Sequence, residues 1–132
     1  MAWSQPGGYL SAVTITSARD AWAVGNYGSS YHIKTLILYW NGSAWQQIPS
    51  PTPRRGGLLY GITATSARSA WAAGCYFLGK TLVLRWNGTT WKQVPSPRPP
   101  PSGGCLTAAV AASPDTAWAV GEGSTATTSA GH

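Results

Sequence analysis

Much of this chain is one sequence written more than once. Leu10 to Trp22 reads LSAVTITSARDAW and Leu59 to Trp71 reads LYGITATSARSAW, identical at eight of thirteen positions. Thr35 to Pro53, TLILYWNGSAWQQIPSPTP, returns as Thr81 to Pro99, TLVLRWNGTTWKQVPSPRP, identical at twelve of nineteen. Leu106 to Trp118, LTAAVAASPDTAW, is a third and more divergent copy of the first stretch. The spacings agree: 49 residues from Trp22 to Trp71, 47 from Trp71 to Trp118, and 46 from Trp40 to Trp86. A period near fifty residues marks a supersecondary unit that cannot bury its apolar surface alone and stacks on its neighbours.

Each copy carries four strand signals. Leu10–Thr16 is apolar and β-branched, and the turn Ser17-Ala18-Arg19-Asp20 leads to a short strand, Ala21–Val24, stopped by Gly25. Thr35–Trp40 follows a polar loop. Asn41-Gly42 then predicts a two-residue hairpin of the type I′ kind, and Ala44–Ile48 ends at Pro49. Several strands are apolar on both faces, which implies cover on both sides. Composition agrees: one Glu, sixteen Gly and ten Pro exclude an all-α fold.

Four-stranded antiparallel units at this period, each buried between neighbours, describe β-propeller blades. The period is nearer that of kelch repeats than of WD40 repeats, although the double glycine of the one and the WD dipeptide of the other are missing from their usual places. Trp22-Ala23-Val24-Gly25, then Trp40-Asn41-Gly42-Ser43-Ala44-Trp45, then Ile48-Pro49-Ser50-Pro51, resembles a propeller repeat of secreted actinobacterial and related bacterial proteins, as far as Gly121. That resemblance implies a fold far more than an activity, since the family mostly lacks an assigned one.

The expected organisation is a single partial propeller over 1–132. Residues 1–8 form a fourth strand of a preceding or partner blade, 9–53 blade one, 54–101 blade two, and 102–132 an incomplete blade three, with Ser124–Ser129 as its third strand. Propellers close with about four to eight blades, and open blades expose apolar patches. About three blades per chain therefore predict a homodimer of six blades, in which the Ala2-Trp3 strand of one copy completes the third blade of the other, as in domain swapping. The alternative is a fragment of a longer propeller.

The net charge is +6, but the nine cations are scattered and their longest run is Arg54-Arg55, which argues for solubility rather than nucleic-acid binding. No stretch approaches the length of a membrane span, and the first residues lack the regions of a signal peptide, although the family it resembles is mostly secreted. Two Cys and two His at wide spacing form no zinc set, and no cofactor is expected. Asp20, Asp115 and Glu122 are the only carboxylates. No nucleophile or acid–base motif occurs, so no catalytic residues are expected. Cys75 and Cys105 fall on one face of adjacent blades, where a disulfide requires Cα atoms within about 7 Å; pairing and free thiols both stay open.

The loops joining second to third strands, and one blade to the next, share a face. Tyr27, Tyr31, His32, Arg54, Arg55, Tyr76 and Phe77 fall there as candidate ligand contacts, because aromatics beside guanidinium groups suit a glycan or cell-surface ligand by stacking and bidentate hydrogen bonds. The competing reading has these loop aromatics capping the ends of the blades. The Trp40–Trp45 stretch is similar to the Trp-Asp-Gly-x-x-Trp stretch of small fucose-binding propeller lectins, but their Arg and Glu set is absent: Glu122 is the only Glu, and Arg85 is matched by Tyr39. Since the tryptophans recur with the strands, packing is their expected role. The Asn-Gly-Ser/Thr triplets at 41 and 87 match a glycosylation acceptor, yet turn geometry already requires Asn-Gly there. The expected function is a non-catalytic propeller binding module with carbohydrate as its ligand class. The alternative is a structural piece whose activity is self-assembly.

Overall fold

The computed structural model describes residues 8–28, 32–54, 56–76, 80–95 and 105–121, and the backbone of 124–129. All regular structure among the described residues is β. The first sheet holds β1 (Tyr9–Ser17), β2 (Asp20–Tyr27), β3 (Lys34–Trp40) and β4 (Trp45–Gln47). The second holds β5 (Gly57–Ser66), β6 (Ser69–Tyr76), β7 (Lys80–Trp86) and β8 (Trp91–Val94). The third holds β9 (Leu106–Ser113), β10 (Thr116–Gly121) and β11 (Ser124–Ser129). Each sheet is an antiparallel meander in chain order. The expected fourth strand at 1–8 lies almost wholly outside the described residues.

The first hairpin is built alike in all three sheets. Ser17 Oγ accepts from the Arg19 amide (3.2 Å), Ser66 Oγ from Arg68 (3.1 Å) and Ser113 Oγ from Asp115 (3.3 Å). Gly25 does not stop β2, which runs on to Tyr27. A Cβ on Gly25 would overlap the Tyr9 carbonyl, and one on Gly74 the Leu58 carbonyl, where β1 and β5 bulge. Glycine recurs because the neighbouring backbone occupies the space of a side chain.

The Asn-Gly turn also differs from expectation. Trp40 pairs with Trp45, so the loop has four residues rather than two. Asn41 Oδ1 accepts from the amides of Ser43 (2.9 Å) and Ala44 (3.0 Å), and Gly42 adopts φ 101°. The Asn side chain stands in for a backbone acceptor, which favours the longer loop. Asn87 repeats the arrangement with Thr89 and Thr90, both at 2.9 Å. Trp40 Nε1 donates to the Ala18 carbonyl (3.1 Å) and Trp86 Nε1 to Ala67 (2.9 Å), tying each third strand to the first hairpin of its own sheet.

The sheets stack face to face. Call the face bearing Trp22, Trp71 or Trp118 the forward face and the opposite one the rear. Trp22, Val24 and Ile37 on the first forward face meet Leu59, Ile62, Ala70, Leu82, Leu84 and Trp91 on the second rear face. Trp71, Ala73 and Val83 on the second forward face meet Leu106, Ala117 and Ala119 of the third sheet. Each fully buried Leu, Val or Ile here contributes about 1.5–3 kcal/mol. Between the second and third sheets, Ser69 Oγ donates to the Pro114 carbonyl (2.8 Å) and the Ala111 amide to Thr63 Oγ1 (3.0 Å). A disulfide joins Cys75 to Cys105 with Cα atoms 4.7 Å apart, resolving the pairing that the sequence left open.

Candidate functional site

The meander sends the β2–β3 loop, the β4–β5 connector and the Cys75–Cys105 disulfide to one end of the stack. The connector Pro49–Pro53 is pinned there. Thr35, buried at the start of β3, donates its amide to Thr52 Oγ1 (3.1 Å) and its hydroxyl to the Pro51 carbonyl (2.9 Å), and Ser50 Oγ lies 2.8 Å from that hydroxyl. Proline supplies no amide donors, so side-chain hydroxyls hold the segment in place of a ladder.

Beneath the connector is a polar cavity of about 310 Å³, lined by Tyr27, Lys34, Thr35, Gln47, Pro49, Ser50 and Thr52. Tyr27 pairs with Lys34 across β2 and β3 and packs against the Ala23, Leu36 and Leu38 cluster on the first rear face. One ring, one ammonium, one amide and several hydroxyls converge at this end. Such groups can stack on a ligand and hydrogen-bond to it.

Four of the expected site residues are described, and one of them lines the cavity. Tyr27 lines the cavity. His32 and Arg54 are exposed and do not line it. Tyr76, the repeat counterpart of Tyr27, is half-buried against the cluster between the first two sheets. Tyr31, Arg55 and Phe77 lie outside the described residues. Sequence reading missed Lys34, Thr35 and Gln47, although a signal was there: Lys80, Thr81 and Gln93 repeat them. Among the described residues no three His, Cys, Asp or Glu side chains gather as metal ligands, and no helix is long and apolar enough to cross a membrane.

At the opposite end, Tyr39 is perturbed by Asp20. Asp20 is buried and accepts a hydrogen bond from Thr16 Oγ1. Its carboxylate pushes the Tyr39 phenol up to about 12, through hydrogen bonding first, then burial, then like-charge repulsion. A phenol held protonated in this way is no general base near neutrality.

A second cavity, apolar and about 260 Å³ in volume, opens on the first rear face between Val13, Ile15, Ser17, Ala18, Ala21, Trp40 and Trp45. Among the described residues, the exposed large apolar side chains lie on the two outer sheets. Tyr9, Leu10, Val13 and Ile15 belong to β1, and Val110, Trp118 and Val120 to β9 and β10. No family model and no curated protein matches this sequence.

Proposed function

We propose that the chain is a non-catalytic β-propeller module, that two copies close one ring of six blades, and that the loop end of the ring binds carbohydrate. One observation carries the ring: the outer faces are exposed at the positions that are buried wherever two sheets meet. Leu10 is 52% exposed while its repeat counterparts Leu59 and Leu106 are at 0%. Trp118 is 47% exposed while Trp22 and Trp71 are at 1%. The strands β1, β5 and β9 pack on one another, as the innermost strands of successive blades would.

The carbohydrate reading draws on the cavity under the Pro49–Pro53 connector, where the Tyr27 ring offers a stacking platform beside Lys34 and Gln47. That cavity borders the open rear face, so a neighbouring copy would supply its missing wall. The other reading is a bare self-assembling scaffold. The half-buried Tyr76, absorbed into packing rather than offered to solvent, favours it.

Light scattering on a sizing column tests the ring, with twice 13.8 kDa expected. Titration of the assembled species with a panel of neutral oligosaccharides, followed by intrinsic fluorescence, tests the ligand. A saturable response that Tyr27→Ala removes without changing the mass is expected. No response across the panel would leave the scaffold.

A further inference from the structure

The apolar cavity on the first rear face has a filled twin inside the molecule. Trp86 and Trp91 on the second rear face, with ring centroids 5.8 Å apart, receive the indole of Trp22, whose centroid lies 5.2 Å from each. Their repeat counterparts Trp40 and Trp45 stand 5.6 Å apart. Around them Val13, Ile15 and Ala21 replace Ile62, Ala64 and Ala70. The two seats share aromatic pair, flanking strand and turn. One is occupied by the tryptophan of the preceding sheet; the other is open to solvent. A single tryptophan of this series, Trp118, is exposed, and it stands on the opposite outer face, flanked by the exposed Val110 and Val120.

We propose that Trp118 of one copy seats between Trp40 and Trp45 of a second copy, and reciprocally, so that the chains join forward face to rear face. This rests on the ring reading above and adds its direction and anchor. The contact is heterologous: the patch that docks differs from the patch that receives, and two such contacts close a pair. A large aromatic entering an apolar pocket is the kind of group whose truncation dominates interface energies. The seat also explains why Leu10 and Val13 are exposed here, since Leu59 and Ile62 are buried where a sheet lies over them.

The direction permits a complementation test. Trp118→Ala removes the docking group, and Val13→Glu puts a charge in the seat; both alter exposed side chains, and Ile15→Lys replaces the second should that chain fail to fold by circular dichroism. Sedimentation velocity on wild type, each variant and their mixture is the readout. Wild type should run as a pair, and each variant should dissociate at least about 100-fold more readily. An equimolar mixture should regain pairs, because it restores one intact Trp118–Trp40/Trp45 contact. A paired wild type whose Trp118→Ala variant stays equally paired overturns the seat and leaves the ring standing. Variants that separate but do not complement overturn the head-to-tail direction. A monomeric wild type overturns the ring and the seat with it.

Discussion

Tyr39 and Arg85 hold the same place in their repeats, opposite the buried tryptophan of the second strand, and use it in different ways. The Tyr39 ring lies 4.7 Å from that of Trp22 as a tilted aromatic pair. The Arg85 guanidinium lies 5.1 Å from the Trp71 ring and its Nη2 is 3.4 Å from the Pro114 carbonyl. The Arg85–Asp115 contact, at 4.0 Å with Asp115 80% exposed, adds little. Tyr39 has a titration consequence. Its folded pKa of about 12 is above the ordinary 10.0, so its contribution is fully present below pH 10 and is lost as pH rises toward 12. Tyr39→Phe should therefore flatten part of the alkaline fall in melting temperature relative to wild type. Absorbance titration should show the late-ionising tyrosine missing in the variant. Identical alkaline limbs in the two proteins would contradict the Asp20–Tyr39 interaction.

At the scale of elements, recurring hydrogen bonds fasten the sheets internally, and one covalent link joins the second sheet to the third. The Ser-capped hairpins and the indole-to-carbonyl hydrogen bonds act within a sheet, whereas the Cys75–Cys105 disulfide closes a 30-residue stretch across two. That stretch carries the Pro-rich run 95–101. A loop of that length is worth about 3–4 kcal/mol in chain entropy. Replacing both cysteines by Ser should lower stability by that amount in urea unfolding, with unequal effects on the sheets. Amide exchange should accelerate in β9 and β10 before β2 and β3. Uniform acceleration would mean the disulfide is not what holds the third sheet.

The molecule is a stack of three sheets with exposed apolar surface on both outer sheets and a net charge of +6. Two copies that meet through apolar faces must overcome their mutual repulsion, and salt screens that repulsion while leaving apolar burial intact. Association should therefore tighten as ionic strength rises, read as a lower dissociation constant by sedimentation. Weakening with salt would point to ion pairs as the glue. The internal interfaces also set a contrast: Trp22→Ala, at a filled seat, should cost about 3–5 kcal/mol of folding stability. Trp118→Ala should cost association instead.

Most of the strand plan was legible from the repeat, because Trp, Gly and Pro recur at fixed offsets and turn chemistry is short-range. The meander and the hairpin at Ser17–Asp20 needed nothing beyond that, whereas the strand at Ser124–Ser129 lacks the Trp-Asn-Gly signature and was expected from its place in the repeat alone. The length of the Asn41 loop and the passage of β2 through Gly25 were misread. The first hangs on a side-chain acceptor and the second on how close the neighbouring strand comes, neither of which a residue type discloses. The same limit applied at the loop end. Tyr27 and Tyr76 are equivalent in sequence, yet one lines a cavity and the other packs against Trp22's cluster, because only the second has a sheet stacked over it. The order of residues laid down the repeat, the strands and their turns. Which copies of each repeated side chain are covered, whether the two cysteines meet, and where open apolar surface remains were settled by stacking, since burial belongs to neighbours in space rather than neighbours in the chain.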